Sequence, residues 1–158
     1  SYLKVHMRSG DYPKSVNAKV YVTYLKIDKV SASSAGSVFS EGSIETDVLE
    51  LSASSAGNVD LNIKAGKVEV SASSAGEVDL NGTANYIIAE ASSAGEIDAY
   101  DLAAKKVSAE AGSAGSIKVS VTEELDAHAS SGANIRYRGN PNKSVTNSTS
   151  GGSVKKAN

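Results

Sequence analysis

The hexapeptide Ser-Ala-Ser-Ser-Ala-Gly occurs at 31–36, 52–57 and 71–76, and degenerate copies end at Gly95, Gly115, Ala133 and Gly152. Successive end points lie 21, 19, 19, 20, 18 and 19 residues apart. Seven copies at so narrow a spacing form a structural period, and such a period limits the chain to repeat architectures. Composition alone points elsewhere. Ser, Ala and Gly make up about 40% of the 158 residues, with seven Tyr, one Phe and no Trp, which is the balance of a flexible linker.

Alignment on the last residue of each copy resolves that balance into columns. Two residues after it stands a β-branched aliphatic every time: Val38, Val59, Val78, Ile97, Ile117, Ile135 and Val154. Four before it stands Ala in six of seven copies, from Ala32 to Ala129, and two before it always Ser, from Ser34 to Ser150. These columns share one parity, and the other parity carries Ser, Glu, Asp, Asn and Lys. A period of 2 marks one side of a strand. Each repeat therefore reads as strand, Ser-Ala-Gly corner, strand.

About 19 residues is too short for a βαβ unit, and no helical stretch, hexapeptide repeat or Gly-Gly-x-Gly-x-Asp nonapeptide is present. The remaining solution is an all-β fold, a single-stranded right-handed parallel β-helix (β-solenoid) of about seven to eight coils. At about 4.8 Å per stacked strand, seven coils make a rod of roughly 34 Å. A thin core suits Ala and Ser at the corners. The Ser column is expected to face inward as a hydroxyl ladder, and Gly to supply the turn angles.

The chain reads as a single domain over 1–158. Residues 31–158 hold the seven repeats. Residues 1–30 are expected to form two or three strands, making a first coil and a cap, because Leu3, Val5 and Met7, then Val16, Ala18, Val20 and Val22 after the Gly10–Pro13 turn, alternate with polar residues. That cap is expected to cover Phe39 and whichever of Val48 and Leu49 faces outward. With neither an initiator Met nor a signal peptide, the sequence reads as trimmed or processed.

The run Val20-Tyr-Val-Thr to Leu25-x-Ile27, the Ser-Ser-Ala-Gly corners, Val78-x-Leu80-x-Gly82-x-Ala84 and the closing Ile135-Arg-Tyr137-Arg-Gly139-Asn-Pro141 with Ser150-Gly-Gly-Ser-Val154 resemble the family of putative auto-transporter adhesins, head GIN domain. That family's corner usually reads Ser-Gly-Ser-Gly. The resemblance spans essentially the whole chain and implies one right-handed β-helix, exported to the periplasm, outer membrane or cell surface of a Gram-negative bacterium. It supplies no catalytic residues.

Several function classes fall to simple counts. Sixteen basic against 18 acidic residues leave no basic stripe for nucleic acid. The absence of Cys removes disulfides, zinc–thiolate sites and a cysteine nucleophile. No apolar run reaches the roughly 18 residues of a membrane span. No cofactor motif is present. Seven aligned serines do not suggest catalysis, since a nucleophile is needed once and beside a base.

Stacking predicts one acidic face built from Asp60, Glu77, Asp79, Glu96 and Asp98, with Lys118, Arg136 and Lys155 further along the rod. Like charges about 5 Å apart repel, so this face is a candidate site for a weakly held cation (calcium by its oxygen ligands) or for a partner, against the plainer reading of a solvated surface. The same gradient of charge suggests two copies pairing antiparallel. A polysaccharide-cleaving enzyme is the rival class, with Asp79 and Asp98 as a carboxylate pair and Arg136 as a clamp. Short coils without cleft-forming loops, and few outward aromatics beyond Tyr100, argue against it. His6 and His128 lack metal-ligand spacing. Asp126-x-His128-x-Ser130 reads as one strand face whose side chains do not converge. Asn147-Ser-Thr149 is a sequon with no consequence in a bacterial periplasm. The polar, basic ending Lys155-Lys-Ala-Asn reads as a blunt terminal coil.

The sequence thus predicts a non-enzymatic, exported interaction module with an unknown envelope or extracellular partner and a possible homo-oligomeric state. A self-assembling scaffold is the alternative.

Overall fold

The computed structural model describes residues 3–7, 10 and 17–157. Nine strands and no helix appear among them: β1 (Lys29–Ala32), β2 (Ser37–Ala53), β3 (Asn58–Ala72), β4 (Glu77–Ala91), β5 (Glu96–Ala111), β6 (Ser116–Ala129), β7 (Asn134–Arg138), β8 (Lys143–Ser148) and β9 (Ser153–Lys156). They form one parallel sheet wound into a solenoid, ordered β1 to β7 and then β9, with β8 on β6. The rod has about seven turns of some 19 residues.

Register follows the repeat. Val38, Val59, Val78, Ile97, Ile117, Ile135 and Val154 pair in unbroken succession, as do Ala32, Ala53, Ala72, Ala91, Ala111 and Ala129. Both columns point inward. Val59, Val78, Ile97, Ile117 and Ile135 are fully buried, and no polar or charged side chain is buried among the described residues. Apolar burial of this kind stabilises by about 25 cal/mol per Å² removed from water. Each coil depends on its two neighbours for that burial.

The corners differ from expectation. Ser34, Ser55, Ser74, Ser93, Ser113, Ser131 and Ser150 are exposed and adopt positive φ near 50°, and the following Ala35, Ala56, Ala75, Ala94 and Ala114 lie near 60°. The N–H of Gly76 donates to the Ser73 carbonyl at 2.8 Å, closing a four-residue turn with both central residues left-handed, the pattern of a type I′ turn. Strand parity stops at such a turn, so the serines leave the inward side. The inter-coil ladder there is carried by backbone: the Ala56 N–H donates to the Ser74 carbonyl and Ala75 to Ser93, at 3.1 and 3.2 Å.

Glycine at the end of the corner is therefore required for a reason other than the turn angle. A Cβ on Gly57 or Gly76 would lie 2.4 or 2.3 Å from the carbonyl oxygen of Ala32 or Ala53 in the preceding coil. At these two corners the coils stack too closely to leave room for a side chain.

The left-handed serines predict a simple gain. Ser74→Gly is expected to raise stability by about 0.5–1 kcal/mol, because glycine adopts φ near +50° without steric cost. Chemical denaturation of the variant checks it, and an unchanged or lower midpoint contradicts it.

Among the described residues the N-terminal strands and cap are not formed. Residues 3–7 and 17–28 contain no strand, and Leu3, Val5, Met7, Val20, Tyr21, Val22 and Leu25 are exposed; only Ile27 packs on the core. Alternation of residue types cannot make a strand without a ladder partner, and β1 meets β2 only from Lys29–Ala32 onward. Phe39 and Val48 accordingly stay exposed, at 58% and 49%, while Leu49 turns inward. Pro13 and Val16 lie outside the described residues.

Candidate functional site

The outward column three residues beyond each corner is continuous from end to end. Phe39, Asp60, Asp79, Asp98, Lys118, Arg136 and Lys155 pair in succession across β2, β3, β4, β5, β6, β7 and β9. Beside it runs Ser37, Asn58, Glu77, Glu96, Ser116, Asn134 and Ser153. All five carboxylates singled out in the sequence, Asp60, Glu77, Asp79, Glu96 and Asp98, thus share one face over three coils. They sit there because their neighbours Val59, Val78 and Ile97 face the core and successive side chains alternate.

Lys118 terminates the acidic run. Its Nζ donates to Glu96 Oε1 and Asp98 Oδ2, both at 2.9 Å, and these two hydrogen bonds raise its pKa. Asp98 also accepts the Tyr100 N–H at 3.2 Å. Among the described residues Asp60, Glu77 and Asp79 make no ion pair, and neither do Arg136 and Lys155 further along. The stripe is an electrostatic dipole: unpaired acids, an ion-paired centre, unpaired bases.

Partial burial raises the pKa of Asp79, and repulsion from Glu77, Asp98, Asp60 and Glu96 adds to it. The native rod then holds this proton more tightly than the unfolded chain does. Its contribution to stability therefore rises as pH falls towards the carboxylate range, opposite to that of an ion-paired Asp. Asp79→Asn removes the repulsion. It is expected to stabilise the rod at pH 7 by roughly a few tenths of a kcal/mol after solvent screening, with the difference vanishing in acid. Melting temperatures of the two proteins from pH 7 to below the ordinary carboxylate value of 3.8 check this. A variant less stable at pH 7 contradicts it.

Among the described residues no group of three or more His, Cys, Asp or Glu side chains is placed to hold a metal ion. A ladder spreads its carboxylates along the rod at strand spacing, whereas a cation needs them converging on one point. Asp79 and Asp98 are neighbours in register, but Asp98 is engaged by Lys118, and Arg136 lies two coils beyond it. A groove of about 840 Å³ is lined by Lys64, Ala65, Ala84, Ala104 and Thr122 among others, and none of the five carboxylates lines it.

Two features escape sequence reasoning. Arg138 stacks 3.9 Å over the Tyr100 ring, two coils apart. The β5–β6 register passes from Ala99↔Val119 to Ala103↔Ser120, so residues 100–102 have no counterpart on β6 and Tyr100 reaches past that strand. Asp126 and His128 do converge, with His128 Nε2 2.8 Å from Asp126 Oδ1, because side chains two apart on a strand share its outward face and these two lean together. Ser130 takes no part in that pair.

A crystal structure described as a putative adhesin from Bacteroides fragilis superimposes with a TM-score of 0.73 at 27% identity, covering 82% of this chain and 60% of that one. The chain thus spans about three-fifths of that protein's length. No curated protein matches it. Residues 2–141, which carry most of the coils and most of the charged stripe, match the family described as putative auto-transporter adhesin, head GIN domain, and the chain belongs to that family.

Proposed function

We propose that this chain is a non-enzymatic, exported adhesion module that presents its flat charged face to a partner at the cell surface. The observation that carries this reading is the pairing of a rigid repetitive scaffold with an uninterrupted outward stripe of charge. Rigid elements hold such groups in fixed geometry, which favours recognition of an extended surface over chemistry at one point. Membership of an adhesin head family and likeness to a solved putative adhesin support it. No helix among the described residues is long and apolar enough to cross a membrane, so any anchoring by a helical span lies outside them.

The test is binding of the folded domain to glycan and envelope-protein arrays, with a charge-reversed stripe as comparison. Saturable binding lost on reversal is expected. Hydrolysis of a labelled polysaccharide by the domain overturns the reading.

A further inference from the structure

We propose that the stripe Asp60–Asp79–Asp98–Lys118–Arg136–Lys155 is a self-complementary face on which two copies of this chain dock antiparallel, about a two-fold axis passing between the Asp98 and Lys118 positions. The inference goes beyond the adhesive reading: it uses the same stripe, but the occupant is a second copy.

Symmetry of the charges carries the argument. The six residues occupy successive coils in unbroken register. At about 4.8 Å per coil they span roughly 24 Å. A two-fold axis at the middle of this row exchanges Asp98 with Lys118, Asp79 with Arg136, and Asp60 with Lys155. Every exchange sets an acid of one copy against a base of the other. An isologous interface demands this property: what residue i meets on j, residue j meets on i. A parallel arrangement would instead set like against like.

The internal pairing has the matching symmetry. Lys118 already holds Glu96 and Asp98 of its own chain at 2.9 Å, so the charges at the centre of the face are engaged within the chain. The groups left without an ion pair are the flanking ones, Asp60 and Asp79, with Glu77 beside them, on one side and Arg136 and Lys155 on the other. Docking gives four new intermolecular ion pairs around a centre already ion-paired within each chain. Ser116, Asn134 and Ser153 flank the basic half on one side with small side chains. The carboxylate of Asp79, disfavoured by partial burial and by its acidic neighbours, gains the cation it lacks in the single rod. An interface this narrow and polar gives a weak, salt-sensitive dimer.

Sedimentation of the 158-residue chain tests the proposal. At about 20 mM salt a concentration-dependent monomer–dimer equilibrium is expected, weakened at least roughly tenfold at about 0.5 M, where charges are screened within about 4–5 Å. Asp79→Arg and Arg136→Asp, each alone, create two repulsive pairs in a homodimer and are expected to weaken association at least roughly tenfold. Mixed in equal amounts they restore both pairs, so a heterodimer should form with affinity near that of the unmodified chain. Both residues face outward, and melting curves confirm that the variants are folded. A monomer at low salt up to about 0.5 mM overturns the proposal, as does a dimer indifferent to either substitution or a mixture that fails to associate.

Discussion

Val78→Asp should abolish the folded rod at neutral pH. Val78 is fully buried, in register between Val59 and Ile97, in a core containing no polar or charged side chain among the described residues. A carboxylate there has no partner and no water, and an uncompensated buried charge costs about 3–5 kcal/mol, close to the whole stability of a small domain, about 5–15 kcal/mol. The geometry of a solenoid enlarges the effect. A coil contacts only the coils on either side, so losing the third one separates β2 and β3 from β5 and β6 and leaves two short stacks, each with a newly exposed apolar end. Val78→Ala, which removes only apolar volume, should cost about 2 kcal/mol and remain folded. Part of the structure lost in Val78→Asp should return in acid, where the carboxyl is neutral. Circular dichroism and chemical denaturation of both variants check these outcomes, and a Val78→Asp protein that melts like the parent contradicts the inward placement of the column.

That column was legible from sequence because two strict rules act on it together. Residues two apart in a strand share a face, and the coil length fixes which residues stack, so Val59, Val78 and Ile97 could be aligned by counting. The same counting placed Asp60, Asp79 and Asp98 in one ladder, followed by Lys118, Arg136 and Lys155. It failed wherever the chain leaves strand geometry. The corner serines share the parity of the core but sit at positive φ, where alternation has no meaning, and they face solvent. Residues 17–28 have the alternation of a strand but form none, and the bonding to β2 begins only at Asp28, whose carbonyl accepts the Glu50 N–H at 2.8 Å. Tyr100 meets Arg138 only because of a register slip on β5. The bridge from Lys118 to both Glu96 and Asp98 depends on the reach of a flexible side chain, which counting columns does not supply.

The glycine column shows a residue type correctly identified for the wrong reason, and substitution separates the two reasons. Gly76→Ala should destabilise the rod by about 2 kcal/mol or more. If glycine served the turn angle, the cost would come from strain in a left-handed backbone. Gly76 is outside that region, and the left-handed residues of its corner are Ser74 and Ala75. With respect to φ alone, alanine would gain about 0.4–1 kcal/mol by restricting the unfolded chain. Against this stands a Cβ 2.3 Å from the Ala53 carbonyl oxygen, 2.4 Å from its carbon and 2.7 Å from the Ser54 nitrogen. All three are backbone atoms, and relieving the clash means spreading two coils where the Ser73 N–H donates to the Ala53 carbonyl at 3.0 Å and the Glu77 N–H to Gly57 at 2.9 Å. Overpacking of this kind costs about 1–3 kcal/mol where side chains can adjust, and a rigid backbone puts it at the upper end. Gly42 supplies the control. It too lies outside the left-handed region, and a Cβ there meets nothing within 4 Å, so Gly42→Ala should leave stability unchanged or raise it by up to about 1 kcal/mol. Denaturation midpoints of the two variants measured side by side decide the matter: equal effects would mean that close stacking of the coils is not what holds glycine at the corner.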